Sequence, residues 1–169
     1  YIYSAQGDAP DDDGLTSSQA LANPYMSRVT VRRDFLQIPL LRNTLTDSHF
    51  AKRDRMGRTL VFLGRIVQDG WSSHPREIAI DEKSAVLIEG NGSSRVIGSG
   101  LGAYFLTVQG PPQICAPGKP LTFREVTVHH GVSGSEFDVA TWKPKQPASY
   151  LLSVVEGKIE SSQPAHDLY

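Results

Sequence analysis

The clearest periodic signal in the chain lies between about residues 54 and 68, where Met56, Leu60, Leu63 and Val67 recur at spacings of four, three and four. That spacing keeps the four side chains on one side of an α-helix. Val61, Phe62 and Ile66 widen the stripe, so the pattern predicts a helix packed against a sheet. Gly70 follows, the residue type that best accepts a left-handed conformation past a helix end. A shorter helix is predicted earlier: Thr16-Ser17-Ser18-Gln19 supplies the hydroxyl and the Gln of a helix start, and Asn23-Pro24 stops it.

Elsewhere the apolar residues come in short runs rich in β-branched types. Val29-Thr30-Val31 and Phe35-Leu36 read as strand-like, and Leu40-Leu41 leads into Thr44-Leu45-Thr46, which suits a buried strand. Beyond the long helix come Ile78 to Ile80, Ala85 to Ile88, Arg95 to Ile97, Ala103 to Val108, Leu121 to His129 and Ser149 to Val155, so the second half is mostly strand. Glu89-Gly90-Asn91-Gly92-Ser93-Ser94 is turn chemistry and predicts a hairpin. Asn91-Gly92-Ser93 also fits the glycosylation-acceptor pattern, though a plain turn accounts for it. Asp8 and Asp11 to Gly14 make 1–14 an expected exposed loop, Pro111-Pro112 and Pro117 to Pro120 frame a loop around Cys115, and 161–169 shows no periodicity.

Composition narrows the function classes. The 17 basic residues against 18 acidic ones leave a net charge of −1, too weak a field to grip nucleic acid or anionic lipid. With 169 residues, 39% of them hydrophobic, the chain supports one core of soluble, globular type. Its longest apolar runs fall well short of the roughly 18 residues that a membrane helix needs. Cys115 is the single cysteine, which gives neither an intrachain disulfide nor a good start for a zinc site. The opening at Tyr1, without a basic and then apolar run, creates the expectation of a processed or excerpted piece, and no compartment is selected.

Acyl transfer needs a nucleophile, a base to take its proton and a group to orient that base. No G-x-S-x-G occurs, and Gly98-Ser99-Gly100 and Ser133-Gly134-Ser135 lack the helix that follows a nucleophile elbow. His49 stands between a predicted strand and the long helix, at the carboxyl end where open α/β sheets gather ligands. A histidine that merely caps or packs a strand end fits the same position. Arg53, Arg55 and Arg58 present forked donors that could clamp a carboxylate, or form a solvated helix face. Asp81-Glu82, after Ile78 to Ile80, could orient a histidine or begin a turn. His129 and His130 would point to opposite faces of a strand, and His74 and His166 lie in loop-like sequence, so no metal site and no cofactor are expected.

Asp47-Ser48-His49-Phe50-Ala51-Lys52-Arg53-Asp54-Arg55-Met56-Gly57-Arg58 resembles the D-x-H-F-x-x-R-x-R-x-G-R segment of the cyanophycinases, serine peptidases related to dipeptidase E. Ile78-Ala79-Ile80-Asp81-Glu82-Lys83-Ser84-Ala85 is similar to that family's G-I-x-I-D-E-x-T-A block, and Val96-Ile97-Gly98-Ser99-Gly100 continues it. The resemblance implies an α/β fold, part of a flavodoxin-like or class I glutamine amidotransferase-like sheet with a β-rich C-terminal extension. It divides the chain into a loop at 1–14, the C-terminal portion of the peptidase domain at 15–130, and the extension and tail at 131–169.

The resemblance also implies a hydrolase, an exopeptidase that cuts a peptide or isopeptide bond of the β-aspartyl type through a Ser-His-acid triad. His49 would be the general base, Glu82 its partner carboxylate with Asp81 second, and Asp47, Ser48, Arg53, Arg55 and Arg58 the substrate side. The family's serine lies in a G-G-T-S-A-G turn, upstream of a segment like Tyr1 to Gln6, so the expected partners are the N-terminal portion of the same protein and the peptide substrate, with a homo-oligomer open. The family usually has Gln where Ser48 stands, which widens the expected substrate to a related peptide or isopeptide. Strands outside the sequence would complete a parallel sheet and leave an extensive apolar face bare. The alternatives are a binding or structural module that kept the fold without catalysis, and a self-sufficient β-rich interaction domain.

Overall fold

One helix and one parallel strand pair set the frame of the molecule. The structure, a computed structural model, describes residues 2–5, 14–33, 37–146 and 148–169. Strand β1 (Ile2–Ala5) precedes helix α1 (Ser17–Ala22), strand β2 (Val29–Arg32), a 3-10 turn (Pro39–Leu41), strand β3 (Thr44–Asp47) and helix α2 (Met56–Gln68). Ten further elements follow the helix, nine of them strands: β4 (Arg76–Ile80), β5 (Ser84–Ile88), β6 (Ser93–Gly98), β7 (Ala103–Val108), β8 (Phe123–Gly131), β9 (Glu136–Asp138), β10 (Lys143–Pro144), β11 (Tyr150–Val155) and β12 (Lys158–Ser161), then a 3-10 turn at Pro164–His166. The chain is a mixed α/β structure.

A six-stranded mixed sheet runs in the order β12-β11-β8-β7-β4-β3, and a four-stranded sheet in the order β10-β9-β6-β5. Only β3 and β4 pair in parallel in the large sheet, with Asp47 opposite Ala79, and α2 connects them, since parallel neighbours need a crossover. The flavodoxin-like expectation thus reduces, among the described residues, to one β-α-β unit; the other pairings of that sheet are antiparallel. Alternation along β7 separates two cores. Tyr104, Leu106 and Val108 join the core around α2, while Ala103 and Phe105 join the core beneath the four-stranded sheet with Val96 and Phe137. Both faces of the large sheet are therefore covered at β4 and β7. In place of the extensive bare apolar face expected, the described residues expose seven large hydrophobic side chains, of which Leu87 and Ile97 share one face of the β5–β6 hairpin.

The helices follow the sequence closely. Thr16 caps α1 through its hydroxyl and Gln19 closes the capping box, while Gly70 takes φ +70 just beyond α2. Leu40-Leu41, expected to lead into a strand, forms the 3-10 turn with Pro39 at its start. Ile2–Ala5, expected as part of an exposed loop, is a strand antiparallel to β2. The acidic stretch beyond it and Phe35-Leu36 lie outside the described residues. Strands β9 and β10 join β6, and β11 joins β8, so 131–169 is divided between the two sheets.

The start of α2 is held from a distance. A Cβ added at Gly57 would lie 2.6 Å from Ser17 Cβ and 2.7 Å from Leu21 Cδ1, so α1 packs directly on the helix backbone. No side chain at the N-cap, Arg55, caps the helix. Its first N–H groups are taken instead by remote hydroxyls: Met56 N–H donates to Tyr169 Oη at 3.0 Å, and Gly57 N–H to Ser17 Oγ at 3.0 Å.

Candidate active site

Because β3 and β4 run parallel and side by side, the segments leaving their carboxyl ends meet. The loop from Ser48 to Arg55 is sewn to the end of β4 and the turn after it by two of its N–H groups, Phe50 N–H donating to Ile80 O at 3.3 Å and Lys52 N–H to the Asp81 side-chain Oδ1 at 3.0 Å. His49 stands on one side of this junction and Glu82 on the other. The imidazole Nε2 lies 3.8 Å from Glu82 Oε1, and Nδ1 lies 3.3 Å from Ser48 Oγ. At 46% and 38% exposure the His49 and Glu82 side chains are half open to solvent. Their separation exceeds a full hydrogen bond.

A groove of about 560 Å³ opens at this junction, lined by Ser48, His49 and the run from Ile80 to Val86. Two of its lining residues hold left-handed backbone without being glycine, His49 at φ 52 and Lys83 at φ 57, and Asp54 on the His49 loop does so at φ 45; six further described non-glycine residues do so elsewhere in the chain. Such conformations cost on the order of 1 kcal/mol or more each.

Directly beneath the rim is a second polar cluster with different geometry. The Asp47 carboxylate is fully buried and accepts from Arg58 Nη2 at 2.9 and 2.8 Å, from Arg58 Nε at 3.2 Å, from Arg55 Nη1 at 2.8 Å and from Ser48 N–H at 2.7 Å. Arg55 Nη1 also donates to Ser48 O at 2.7 Å, which ties the residue before His49 to the same centre. Next to it on β4, Glu77 is buried and accepts from Thr59 Oγ1 at 3.0 Å. Burial, and then the charge of Asp47, push the Glu77 carboxyl well above its usual range, and its Oε2 has no hydrogen-bond partner among the described residues.

The structure thus brings Ser48, His49, Asp81 and Glu82 together at one groove, as the sequence reading expects. Asp81 is 7% exposed and holds Lys52 N–H, which makes it a support of the histidine loop, while Glu82 is the carboxylate facing the ring. Asp47, Arg55 and Arg58 do not line the groove. They converge on each other below it, because a carboxylate buried at a strand end needs charged donors around it. Arg53 is exposed on the loop.

Sequence reasoning missed the aromatic support under the loop. Phe50, Tyr104 and Tyr169 pack with ring centroids 5.3 to 5.9 Å apart, and His130 stacks on Tyr104 at 4.3 Å while donating from Nε2 to Leu101 O at 2.6 Å. Nothing in local periodicity marks these contacts. His129 points the other way, toward Phe137, as strand alternation requires. Among the described residues no three His, Cys, Asp or Glu side chains are grouped to hold a metal ion. Among the described residues no helix is long and apolar enough to cross a membrane. Compared with known proteins, the chain matches no family model and no curated protein.

Proposed function

We propose that this chain supplies the histidine and the acid of a Ser-His-acid hydrolase similar to the cyanophycinases, acting on a peptide or β-aspartyl-type isopeptide bond, with the serine on polypeptide outside these 169 residues. The observation that carries it is the half-exposed His49 ring at a groove, 3.8 Å from Glu82.

In the proposed reaction the serine oxygen adds to the carbonyl carbon, and its proton passes to the imidazole. Nε2 faces Glu82, so Nδ1, on the Ser48 side, is the nitrogen left to accept. The imidazolium is then stabilised by the Glu82 carboxylate and returns the proton to the leaving nitrogen as the C–N bond breaks. Water repeats the sequence on the acyl ester and releases the acid. Asp81 and the Asp47–Arg55–Arg58 centre act earlier, by fixing where the ring stands.

A fluorophosphonate probe, which reacts with a serine only when its hydroxyl is activated, tests this on the protein that contains the chain. The expected result is covalent labelling that falls at least about 100-fold in His49→Asn, a loss in the range of general-base catalysis. Asn tolerates left-handed backbone, so thermal unfolding stays unchanged. Equal labelling of both proteins would remove His49 from the reaction. Absence of labelling in either would favour a binding module that has the fold without the chemistry. The Ser48 hydroxyl, 3.3 Å from the ring, is the one serine in contact with it among the described residues. Ser48→Ala is expected to leave labelling within a few-fold, and its complete loss would make Ser48 the nucleophile.

A further inference from the structure

Among the described residues the four-stranded sheet ends at β5, whose one sheet neighbour is β6. The direction of its backbone groups follows from the two ends of the hairpin. Ser99 N–H donates to Lys83 O at 2.9 Å, and Glu89 N–H to Ser93 O at 2.8 Å. Hydrogen-bonded pairs alternate along an antiparallel ladder, so Ala85 with Ile97 and Leu87 with Arg95 are the bonded pairs between those ends. The N–H and C=O groups of Ser84, Val86 and Ile88 therefore point away from β6, off the edge of the sheet. Ser84 and Val86 also line the groove that holds His49 and Glu82.

Edges of this kind are normally guarded by lysine, proline, a bulge or a covering segment. Ser84-Ala85-Val86-Leu87-Ile88 has no charge and no proline, and its register with β6 runs without a shift. On the outward face Leu87 and Ile97 are 52% and 38% exposed. The ligand class that answers donors and acceptors alternating off such an edge is another extended backbone.

We infer that the substrate of the groove is an extended peptide that adds to β5 as a further strand, bonded to the backbone of Ser84, Val86 and Ile88, with its cleaved bond beyond the Ser84 end, beside His49. The placement of the cleaved bond rests on the hydrolase proposal; the docking does not. Five residues of strand span about 16 Å, so the edge takes about five residues on one side of the cut. Same-face neighbours meet across paired strands, so alternate residues of the bound peptide lie beside Ala85 and Leu87 and are preferably apolar.

The test uses a capped heptapeptide of alternating valine and threonine, together with its twin N-methylated at every second amide. Binding to the full protein is read by NMR through amide hydrogen exchange. The peptide is expected to slow exchange at Ser84, Val86 and Ile88 by about tenfold or more at saturation, leaving Ala85 and Leu87, already bonded to β6, unchanged. The methylated twin is expected to bind at least about tenfold weaker, the loss of one or two net hydrogen bonds. Val86→Pro deletes one outward N–H at an edge position that accepts proline, and is expected to weaken binding several-fold. Equal binding of the two peptides, or exchange unchanged at the three amides, overturns the inference. So does protection of those amides without peptide in a dimer seen by sedimentation. Docking as described without fluorophosphonate labelling leaves this inference standing and removes the hydrolase proposal; labelling without docking does the reverse.

Discussion

Two polar clusters sit at the ends of the same two strands, and they differ in nearly every physical respect. Below, Asp47 and Arg58 are at most 5% exposed and share bonds of 2.8 to 3.2 Å. Above, His49 and Glu82 are half exposed and 3.8 Å apart. A charge taken out of water must be saturated with partners, and once saturated it cannot change them without a large penalty. A histidine that is to accept and return a proton needs the opposite, a partner close enough to orient it and enough freedom to meet a substrate. The lower cluster fixes geometry and the upper one keeps its options, and the separation of Asp47 from His49 by two positions along the chain makes the first a mount for the second.

The largest expected effect breaks the lower cluster. Asp47→Ala leaves the buried Arg58 guanidinium without its carboxylate, and urea unfolding is expected to show a loss of about 3 to 5 kcal/mol. His49→Asn, on the half-exposed rim, is expected to shift stability by no more than about 0.5 kcal/mol. Comparable losses from the two would erase the distinction between mount and rim.

Next comes the contact that presses α1 onto the start of α2. Gly57→Ala places a methyl group 2.6 Å from Ser17 Cβ and 2.7 Å from Leu21 Cδ1. Both are packed against the helix, so relief requires movement of α1, and overpacking of this kind costs about 1 to 3 kcal/mol. Gly57 is followed directly by Arg58, so displacement here should carry over to the Asp47 centre. Fluorophosphonate labelling that survives unchanged, despite the lower melting temperature, would show that the rim tolerates movement of its mount.

Glu77 sharpens the comparison through pH. Burial and the neighbouring Asp47 raise its carboxyl well above the usual 4.5 in the folded chain. The folded state thus holds this proton more tightly than the unfolded one, so the Glu77 contribution to stability falls as pH rises from about 4.5 up to the raised folded value. Glu77→Gln removes that titration while keeping an acceptor for Thr59. The difference in unfolding free energy, variant minus wild type, is expected to move in favour of Gln across that window. A pH-independent difference would mean that Glu77 ionises as easily inside the fold as outside it.

How much of this was legible in the sequence depends on the reach of each interaction. The stripe from Met56 to Val67 announced α2, and the Thr16 to Gln19 box announced α1, because both depend on residues three or four apart. The pairing of His49 with Glu82 was named by the resemblance alone; strand ends left Asp81-Glu82 open between orienting a histidine and beginning a turn, and the β-α-β unit brings the two carboxyl ends together. The direction of Arg55 and Arg58 was not, because an arginine in a helical stretch reads alike whether it faces water or a buried carboxylate. Strands β9, β10 and β12 are too short to carry a period, and β1 precedes an acidic stretch that masks it. The cap on α2 was the least legible, for Met56 and Tyr169 are 113 positions apart.

That cap gives the smallest effect and joins the two clusters. The Tyr169 hydroxyl accepts from Met56 N–H at 3.0 Å and donates to Asp54 Oδ1 at 2.9 Å, while its ring packs on Phe50. Burial raises the pKa of this hydroxyl, so it remains a donor across the working pH range. Tyr169→Phe keeps the ring contacts and removes both bonds, leaving a helix-start N–H unmet and the left-handed Asp54 less constrained. A loss of about 1 kcal/mol is expected, seen as a melting temperature lower by about 2 to 4 °C. Because Asp54 and His49 share one loop, the fluorophosphonate labelling rate should fall a few-fold while hydrogen exchange of the Asp47 layer stays as it was. Labelling at the wild-type rate would show that the lower cluster alone positions the histidine and that the tail contributes only to stability.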